Sequence, residues 1–169
     1  MAHKRAKSRA DKSSSTWGPE MIHGVKVTPL NQFLDERGKV MRMLSSEDAH
    51  FEKFGEIYFS CIYPGAIKGW HVHNRMTLNY AVPHGNIKFV LYDDRTDSPS
   101  CGQVQEIFMG PDNYCLVTVP PRVWNGFKGI GSEMAIVANC SSLPHDPEET
   151  SRRDPFDSSI PYDWNIKHR

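Results

Sequence analysis

The sequence has no excess charge of either sign, no closely spaced cysteine pair and no long apolar run. Twenty basic residues balance twenty acidic ones, so no global field would gather nucleic acid or an anionic membrane. No apolar segment approaches the roughly 20 residues that cross a bilayer, and the N-terminus lacks the apolar region of a signal peptide. No CxxC pair is formed, so neither a zinc knuckle nor a disulfide framework is predicted for Cys61, Cys101, Cys115 and Cys140. We expect a cytoplasmic protein with reduced thiols, in which a local site does the recognition.

Length and composition predict one folded domain preceded by a tail. A chain of 169 residues is the size of a single domain with a real core. Residues 1–20, "MAHKRAKSRADKSSSTWGPE", are polar, basic and rich in serine, so little burial would offset the entropy cost of ordering them. We predict a flexible tail at 1–20 and a single domain at 21–169. The basic residues of the tail could contact an anionic partner, although a solvated extension is the favoured interpretation.

From residue 21 onward the pattern is that of a mostly β protein. Short runs such as "EIYFSCIY", "IKFVLYD" and "YCLVTV" are separated by Gly, Pro, Asp and Asn, which is typical of strands and turns. About eight to ten such runs, with few segments of helical period, favour a sandwich, a jelly roll or a small barrel. One short helix is predicted in "SSEDAHFEKF" at 45–54, with Ser45 or Ser46 as N-cap and acidic residues in its first turn.

The C-terminal segment from Ser141 is predicted to be irregular. The stretch "SSLPHDPEETSRRDPFDSSIPYDW" is rich in Pro and Asp, which favour turns over regular structure. Four of its side chains could still pin the segment onto the barrel: Phe156, Ile160, Tyr162 and Trp164.

The stretch "GAIKGWHVHN" places His71 and His73 two residues apart in a predicted strand, so both side chains should face the same side. The spacing resembles the first motif of cupin-type β-barrels, in which a glycine, a His-x-His pair, a glutamate and a second glycine follow one another. Gly65, the two histidines and Gly85 fit this frame, but Leu78 stands where the glutamate should be.

The second cupin motif is also incomplete. In "PPRVWN", Arg122 replaces the glycine and Asn125 replaces the histidine of the expected pattern. Two of the expected metal ligands are therefore missing, whereas divalent metals need three or four N or O donors in fixed geometry. We expect neither a tightly bound metal nor another cofactor. A metal-dependent cupin using His71 and His73 with unconventional donors remains the alternative.

Five motifs in order resemble the dTDP-4-dehydrorhamnose 3,5-epimerase family, over about residues 25–164. They are "PLNQFLDERGKV", "IKGWHVH", "GNIKFVLYDDRTDSPSCGQ", "VPPRVWNGF" and "RRDPFDSSIPYDW". The resemblance implies an all-β, cupin-type jelly-roll barrel that acts without metal on nucleotide-linked 4-keto sugars. It also implies a homodimer in which N-terminal strands exchange contacts.

The resemblance puts His71 at the position of the catalytic base and Asp154 at that of the aspartate paired with it. A proton next to a ketone is weakly acidic, so its removal needs a neutral imidazole and a carboxylate that orients the ring. A packed, hydrogen-bonded histidine is the alternative for His71, and an ordinary Asp-Pro turn is the alternative for Asp154. His73 is either a substrate contact or a packed neighbour.

The resemblance also suggests substrate contacts for Arg37 and Lys68, which stand where the family holds cationic residues. An arginine fork and a lysine point charge suit a pyrophosphate, while solvated surface charge is the alternative reading. The family's second acid-base tyrosine is missing, because Ala138 takes its place. The phenol of Tyr80 could replace this acid or be a core aromatic, and the amide of Asn125 and the imidazole of His73 could hold an enolate oxygen.

These observations predict an isomerase or epimerase that abstracts a proton next to the keto group of a nucleotide-linked 4-keto-deoxysugar, in polysaccharide or natural-product sugar synthesis. Its partner is then a nucleotide-sugar, with no role for nucleic acid or membrane. A binding module that lost catalysis together with the family residues replaced by Leu78, Asn125 and Ala138 is the alternative outside the enzyme classes.

Overall fold

The computed structural model describes residues 21–167, so the tail predicted at 1–20 lies outside the described residues. Strands dominate this range, and the all-β prediction is confirmed. A 3-10 helical turn, Pro147–Glu149, precedes the last strand. The strands are β1 (Lys26–Pro29), β2 (Gln32–Asp35), β3 (Gly38–Met41), β4 (Glu56–Ile62), β5 (Ile67–His73), β6 (Leu78–His84), β7 (Asn86–Tyr92), β8 (Val104–Met109), β9 (Cys115–Val119), β10 (Trp124–Ile130), β11 (Ala135–Ser141) and β12 (Thr150–Arg152).

Two five-stranded antiparallel sheets form a jelly roll. The first sheet has the order β1-β9-β6-β11-β4 and the second has the order β12-β5-β10-β7-β8. The chain passes from one sheet to the other at most connections from β4 onward, so neighbours within a sheet are rarely neighbours in sequence. β2 and β3 pair only with each other, as a separate hairpin.

The main core lies between the two sheets. It is built from apolar side chains of both, for example Leu78 on β6, Phe89 on β7 and Val117 on β9, all at most 1% exposed. Strands β7 and β9 are buried along most of their length, which explains why "IKFVLY" and "CLVTV" are nearly continuous apolar runs rather than alternating ones.

The C-terminal segment predicted to be irregular contains the 3-10 turn and β12, and the residues after β12 cover the outer face of the second sheet. Ile160 and Trp164 are buried there, and the rings of Trp70 and Trp164 lie 5.2 Å apart. Both indole N–H groups donate to the carbonyl of Pro155, at 3.2 and 2.9 Å. Phe156 is exposed and does not share in this anchoring. The segment is therefore pinned as its aromatic residues predict, with Phe156 as the exception.

The prediction of a helix at 45–54 is wrong. The segment instead forms successive turns, in which the N–H of Asp48 donates to the carbonyl of Ser45 and the N–H of Phe51 to that of Asp48. The carboxylate of Asp48 accepts from the N–H of Ser45 and from the guanidinium of Arg42. These contacts satisfy the local polar groups without a helix, and a helix this short is marginal unless it buries an apolar face.

The structure bears on two expectations drawn from composition, which concern the state of the cysteines and membrane-crossing segments. The four cysteines are free, and Cys115 and Cys140 are buried. Between residues 21 and 167, no helix combines the length and the hydropathy that a membrane crossing needs.

Candidate active site

A cavity of about 760 Å³ opens between the two sheets. Tyr58 on β4, Tyr80 on β6 and Asn139 on β11 line it from the first sheet, whereas His71 and His73 on β5 line it from the second. Residues two apart in a strand share a face, and the structure accordingly places both histidines in one cavity.

His71 is held as a neutral imidazole. Its Nδ1 lies 3.4 Å from the carbonyl of Gly69, and its Nε2 lies 3.2 Å from the hydroxyl of Tyr80. The tautomer that suits both contacts carries its proton on Nδ1 and its lone pair on Nε2. Burial, and next the positive charge of protonated His73, lower the pKa of His71 from 6.5 to about 4. The ring is therefore neutral near pH 7, as a base must be.

Asn125 lies behind Tyr80 instead of at the cavity wall. It is fully buried, and its amide nitrogen donates to the carbonyls of His71 and Val123. Its Oδ1 accepts from the hydroxyl of Tyr80 at 3.3 Å. Asn125, expected to meet the substrate, is thus not among the cavity-lining residues, and its amide nitrogen already has backbone partners. The hydroxyl of Tyr80 thus has two acceptors, and turning from His71 toward Asn125 frees the lone pair on Nε2.

Three polar side chains of the first sheet stand side by side across neighbouring strands. Asn139 on β11 is in register with Tyr58 on β4 and with Tyr80 on β6, and its amide donates to the Tyr58 hydroxyl at 2.8 Å. Burial, and then the nearby Tyr58, raise the pKa of Tyr80 well above its ordinary value. Val137 and Asn139 line the cavity, so the alternation of strand residues points Ala138 away from it, and the position assigned to the missing tyrosine does not face the site.

His73 is anchored by a buried carboxylate. Its Nδ1 lies 2.8 Å from Oε2 of Glu149, which belongs to the 3-10 turn and is 3% exposed. The hydroxyl of Thr150 is a further neighbour of Nδ1, at 3.2 Å. Within one cavity, one histidine thus contacts a tyrosine and the other contacts a carboxylate.

Cationic side chains lie at the wall near these groups. Lys68 on β5 lines the cavity, and its ammonium donates to the hydroxyl of Ser60 at 2.6 Å. Arg152 on β12 also lines the cavity and is in register with His71. The two cations could meet an anionic group that enters with a substrate.

Asp154 and Arg37 are not brought to His71. The carboxylate of Asp154 is exposed and accepts from the N–H of Phe156 at 2.8 Å, and it makes no hydrogen bond to His71. Asp-Pro turns commonly use the carboxylate in this way. Arg37 lies at the tip of the β2–β3 hairpin, where its side chain is 89% exposed and pairs with Asp35 at 2.6 Å. The structure thus corrects the expected pairing of Asp154 and places Arg37 outside the cavity of its own chain.

The described residues offer no metal cage. Between residues 21 and 167, no three His, Cys, Asp or Glu side chains are grouped so that they could hold a metal ion. Leu78, at the cupin glutamate position, is in the apolar core at 1% exposure. The side chain of Asn125 is committed to Tyr80 and the backbone, so His71 and His73 have no third donor in this part of the chain.

No sequence motif pointed to a cavity role for Glu149, Arg152, Asn139, Glu56 or Ser60. The β4 signal was available, since Glu56, Tyr58 and Ser60 alternate in the strand and all line the cavity. Glu149 gave no such signal, because "PEET" reads as a solvated turn and its contact with His73 spans 76 residues.

The two facing sheets form a cupin-type jelly roll, and its cavity brings a histidine and a tyrosine into contact. The dTDP-4-dehydrorhamnose 3,5-epimerase family matches residues 19–169, so the chain belongs to that family and the resemblance seen in the sequence is confirmed.

Two relatives are named for a role in glycan or polysaccharide biosynthesis. The probable low-salt glycan biosynthesis epimerase of Haloferax volcanii is 36% identical, over 86% of this chain and 96% of its own. The spore coat polysaccharide biosynthesis protein SpsL of Bacillus subtilis is 32% identical, over 88% of this chain and 100% of its own.

Among solved structures, a dTDP sugar isomerase from Desulfovibrio desulfuricans superimposes with a TM-score of 0.83. It is 42% identical, and the match covers 85% of this chain and 92% of that one. An epimerase from Legionella pneumophila, solved with dTDP-4-keto-L-rhamnose, has a TM-score of 0.77 at 22% identity, covering 89% and 83% of the two chains. The latter likeness supports the jelly-roll fold.

Proposed function

We propose that this chain is an epimerase that removes and returns a proton next to the keto group of a nucleotide-linked 4-keto-deoxysugar, in glycan or polysaccharide synthesis. One observation carries the proposal: a neutral imidazole, His71, and a phenol, Tyr80, reach the same cavity from opposite sheets and contact each other at 3.2 Å. Family membership and the roles named for the relatives support the reaction class.

The proposed step begins at Nε2 of His71. When the Tyr80 hydroxyl turns to Oδ1 of Asn125, the Nε2 lone pair can take the proton from the carbon beside the ketone. The electrons of that C–H bond form a carbon–carbon double bond, and the carbonyl π pair moves onto oxygen, which gives an enolate. Returning a proton to the opposite face of the carbon inverts it, and Tyr80 remains the candidate acid, although its raised pKa makes proton loss costly.

The substrate class follows from the charges near the cavity. Lys68 and Arg152 both line it, and each can hydrogen-bond phosphate oxygens, the arginine in a bidentate manner. A cavity of about 760 Å³ is within the size of ordinary small-molecule sites. A diphosphate-linked sugar, with the sugar near His71 and the diphosphate near the two cations, fits this arrangement.

Deuterium exchange tests the proposal. The wild-type protein, incubated in D2O with a dTDP-linked 4-keto-6-deoxyhexose, should place deuterium on a carbon next to the ketone, as read by NMR and mass spectrometry. His71→Asn removes the base and should lower the rate of labelling at least about 100-fold, in line with general-base contributions. His84→Asn is the matched control, because His84 is an exposed histidine on β6 outside the cavity, and its labelling rate should equal that of the wild type.

Wild-type protein that is stabilised by the nucleotide-sugar against heat but incorporates no deuterium would be a binding module, and the epimerase proposal would fail. Labelling that is abolished by chelators and restored by a divalent metal would instead favour a metal-dependent cupin.

We also propose a homodimer, because the outward-facing side chains of β4 are apolar although they are exposed. Its polar residues face the cavity, while Ile57 and Phe59 point outward and are 49% and 64% exposed. β4 is an edge strand, and the β2–β3 hairpin exposes Phe33, Leu34 and Val40 as well. Exposed apolar surface next to an unpaired sheet edge is typical of surfaces that bind another chain. The family resemblance implies that this other chain is a second copy.

Light scattering tests this assembly. Phe59→Asp should convert a dimer into a monomer, because it places a charge on the proposed interface. Phe108→Asp, at an exposed phenylalanine on β8 of the other sheet, should leave the mass unchanged. A monomeric wild-type protein would refute the proposal.

A further inference from the structure

Glu149 is a buried carboxylate that stays ionised. One oxygen, Oε1, accepts the N–H of Arg75 and the N–H of Met76, the latter at 2.9 Å. Burial alone would raise the pKa of Glu149, but the donors from Arg75, His73 and Met76 together lower it below its ordinary value. The second oxygen, Oε2, is left for Nδ1 of His73 at 2.8 Å.

This contact fixes which nitrogen of His73 carries a proton. A carboxylate only accepts, so Nδ1 must be an N–H, and Nε2 is where the second proton binds. No described residue forms a hydrogen bond with Nε2, and this atom is not sealed from solvent. Because His73 lines the cavity, Nε2 is the position at which the ring can present a proton to a ligand.

The two histidines meet different partners in one cavity. Their ring centroids are 5.8 Å apart and the rings are perpendicular. His71 contacts the phenol of Tyr80 and is kept neutral by burial and by the charge of His73, whereas His73 contacts a carboxylate, which favours an imidazolium. A base and a hydrogen-bond donor can thus lie side by side.

An enolate needs both functions side by side. The carbon that loses its proton is bonded to the carbonyl carbon, so the base and the donor to the oxygen must be neighbours. Asn125 was the other candidate for the oxygen, but its amide nitrogen donates to the carbonyls of His71 and Val123. Leu78, which replaces a residue of the family, is in the core. His73 is the neighbour of His71 on β5 that can present an N–H to the cavity.

We propose that the His73–Glu149 pair holds the enolate oxygen: Glu149 orients and charges His73, and Nε2–H of His73 donates to the carbonyl oxygen while His71 takes the carbon-bound proton. The His73 proton is shared and not transferred, so this pair adds no proton transfer to the proposed epimerisation, in which the carbon-bound proton passes to His71 and a proton returns to the opposite face of the carbon. This inference rests on the proposed epimerisation. His73 is then a catalytic residue, and Glu149 is a positioning residue that acts through it.

Glu149→Gln tests the pair with almost no change of shape. The amide oxygen can still accept the N–H groups of Arg75 and Met76, but the amide nitrogen now faces Nδ1 of His73 and donates to it. His73 then keeps its single proton on Nε2 and loses its counter-charge. The rate of deuterium exchange at saturating substrate should fall about 10- to 100-fold, which approaches the effect of removing one oxyanion-hole donor. KM should change less than about threefold.

The pH profile separates this role from a structural one. Glu149 contacts His73 directly, and the titratable side chains that line the same cavity include His71, Tyr80, Lys68 and Arg152. If His73 donates to the enolate, the pH dependence of the exchange rate should differ between the wild type and Glu149→Gln. An unchanged pH dependence in the folded variant would overturn the proposal.

The control is Asp146→Asn, a carboxylate-to-amide change in the same turn. Asp146 is only partly buried, and its Oδ1 accepts the N–H of Glu148, which an asparagine can also do. The exchange rate and the pH profile of Asp146→Asn should match those of the wild type. If Glu149→Gln does not fold, His73→Gln serves the same purpose, because its amide can donate to Glu149 but carries no charge, and it should lower the exchange rate at saturating substrate with little change in KM.

A histidine ¹⁵N spectrum gives a readout that needs no turnover. His73 should be protonated at Nδ1 in the wild type and should change to the Nε2–H tautomer in Glu149→Gln. An unchanged tautomer, or an unchanged rate and profile in a folded variant, overturns the inference alone. Absence of any exchange in the wild type would overturn the proposed epimerisation itself.

Discussion

Desolvation of His71 should make the protein lose stability in mild acid. In the folded chain the pKa of His71 is lowered from 6.5 to about 4 by burial and by its neighbour His73. Between these two values the unfolded chain binds a proton that the folded chain does not. Stability therefore rises with pH in this window, and the contribution is lost as pH falls from 6.5 toward 4.

The magnitude follows from the two pKa values. Linkage at this single site gives a loss of about 2 kcal/mol in the free energy of unfolding between pH 7 and pH 5, and of about 3 kcal/mol by pH 4. This is a large share of the 5 to 15 kcal/mol that is typical of a domain. Carboxylates with lowered pKa values, such as Asp93 and Glu106, add their own losses at still lower pH, so pH 5 to 7 is the informative window.

Urea denaturation followed by tryptophan fluorescence measures the effect, since Trp70 and Trp164 are buried. His71→Asn cannot take up the proton, so between pH 7 and pH 5 it should lose about 2 kcal/mol less than the wild type. His84→Asn, at an exposed histidine, should follow the wild-type pH dependence. Equal losses in the wild type and in His71→Asn would refute the claim that His71 is desolvated and neutral.

Three further substitutions probe the cavity and its support. Tyr80→Phe should lower the free energy of unfolding by about 1 to 3 kcal/mol, because it removes a buried hydroxyl that contacts two acceptors; a smaller loss of stability would contradict those contacts. Arg152→Ala should weaken binding of dTDP about tenfold by calorimetry, in the range of one charged hydrogen bond, while Lys53→Ala, at an exposed lysine that does not line the cavity, should not. Gly69→Ala would bring a methyl group to 2.5 Å from the ring of Pro155, so a loss of about 1 to 3 kcal/mol is expected in thermal or urea unfolding.

The sequence predicted best what local spacing determines. The strand period alone places His71 and His73 on one face, and a closely spaced pair stays together wherever the strand goes. The helix at 45–54 failed for the complementary reason. Its capping residues were present, but whether a short helix forms depends on an apolar face and a partner surface, which the local sequence does not specify.

Contacts across the barrel could not be predicted in this way. Asn125 was expected to face the substrate because it replaces a metal ligand, yet it lies behind Tyr80, a residue 45 positions away. Tyr58 and Asn139 meet because β4 and β11 pair in one register, and that register is a property of the whole sheet. The local pattern predicts which side chains share a face of a strand. The residues that those side chains contact across the barrel depend on the whole fold.

The carboxylate nearest the two histidines is not the one that the family resemblance suggests. The family resemblance assigned the orienting carboxylate to Asp154, but that side chain is exposed and is used by the N–H of Phe156. Orienting an imidazole requires an ionised carboxylate within hydrogen-bond distance and shielded from water, because in water its attraction would be weak. Glu149 meets both conditions, and it does so at His73, two residues along β5 from His71. In this chain the histidine with a carboxylate partner and the histidine kept neutral are therefore different residues, which is what a reaction needs when one group must take a proton while its neighbour presents one.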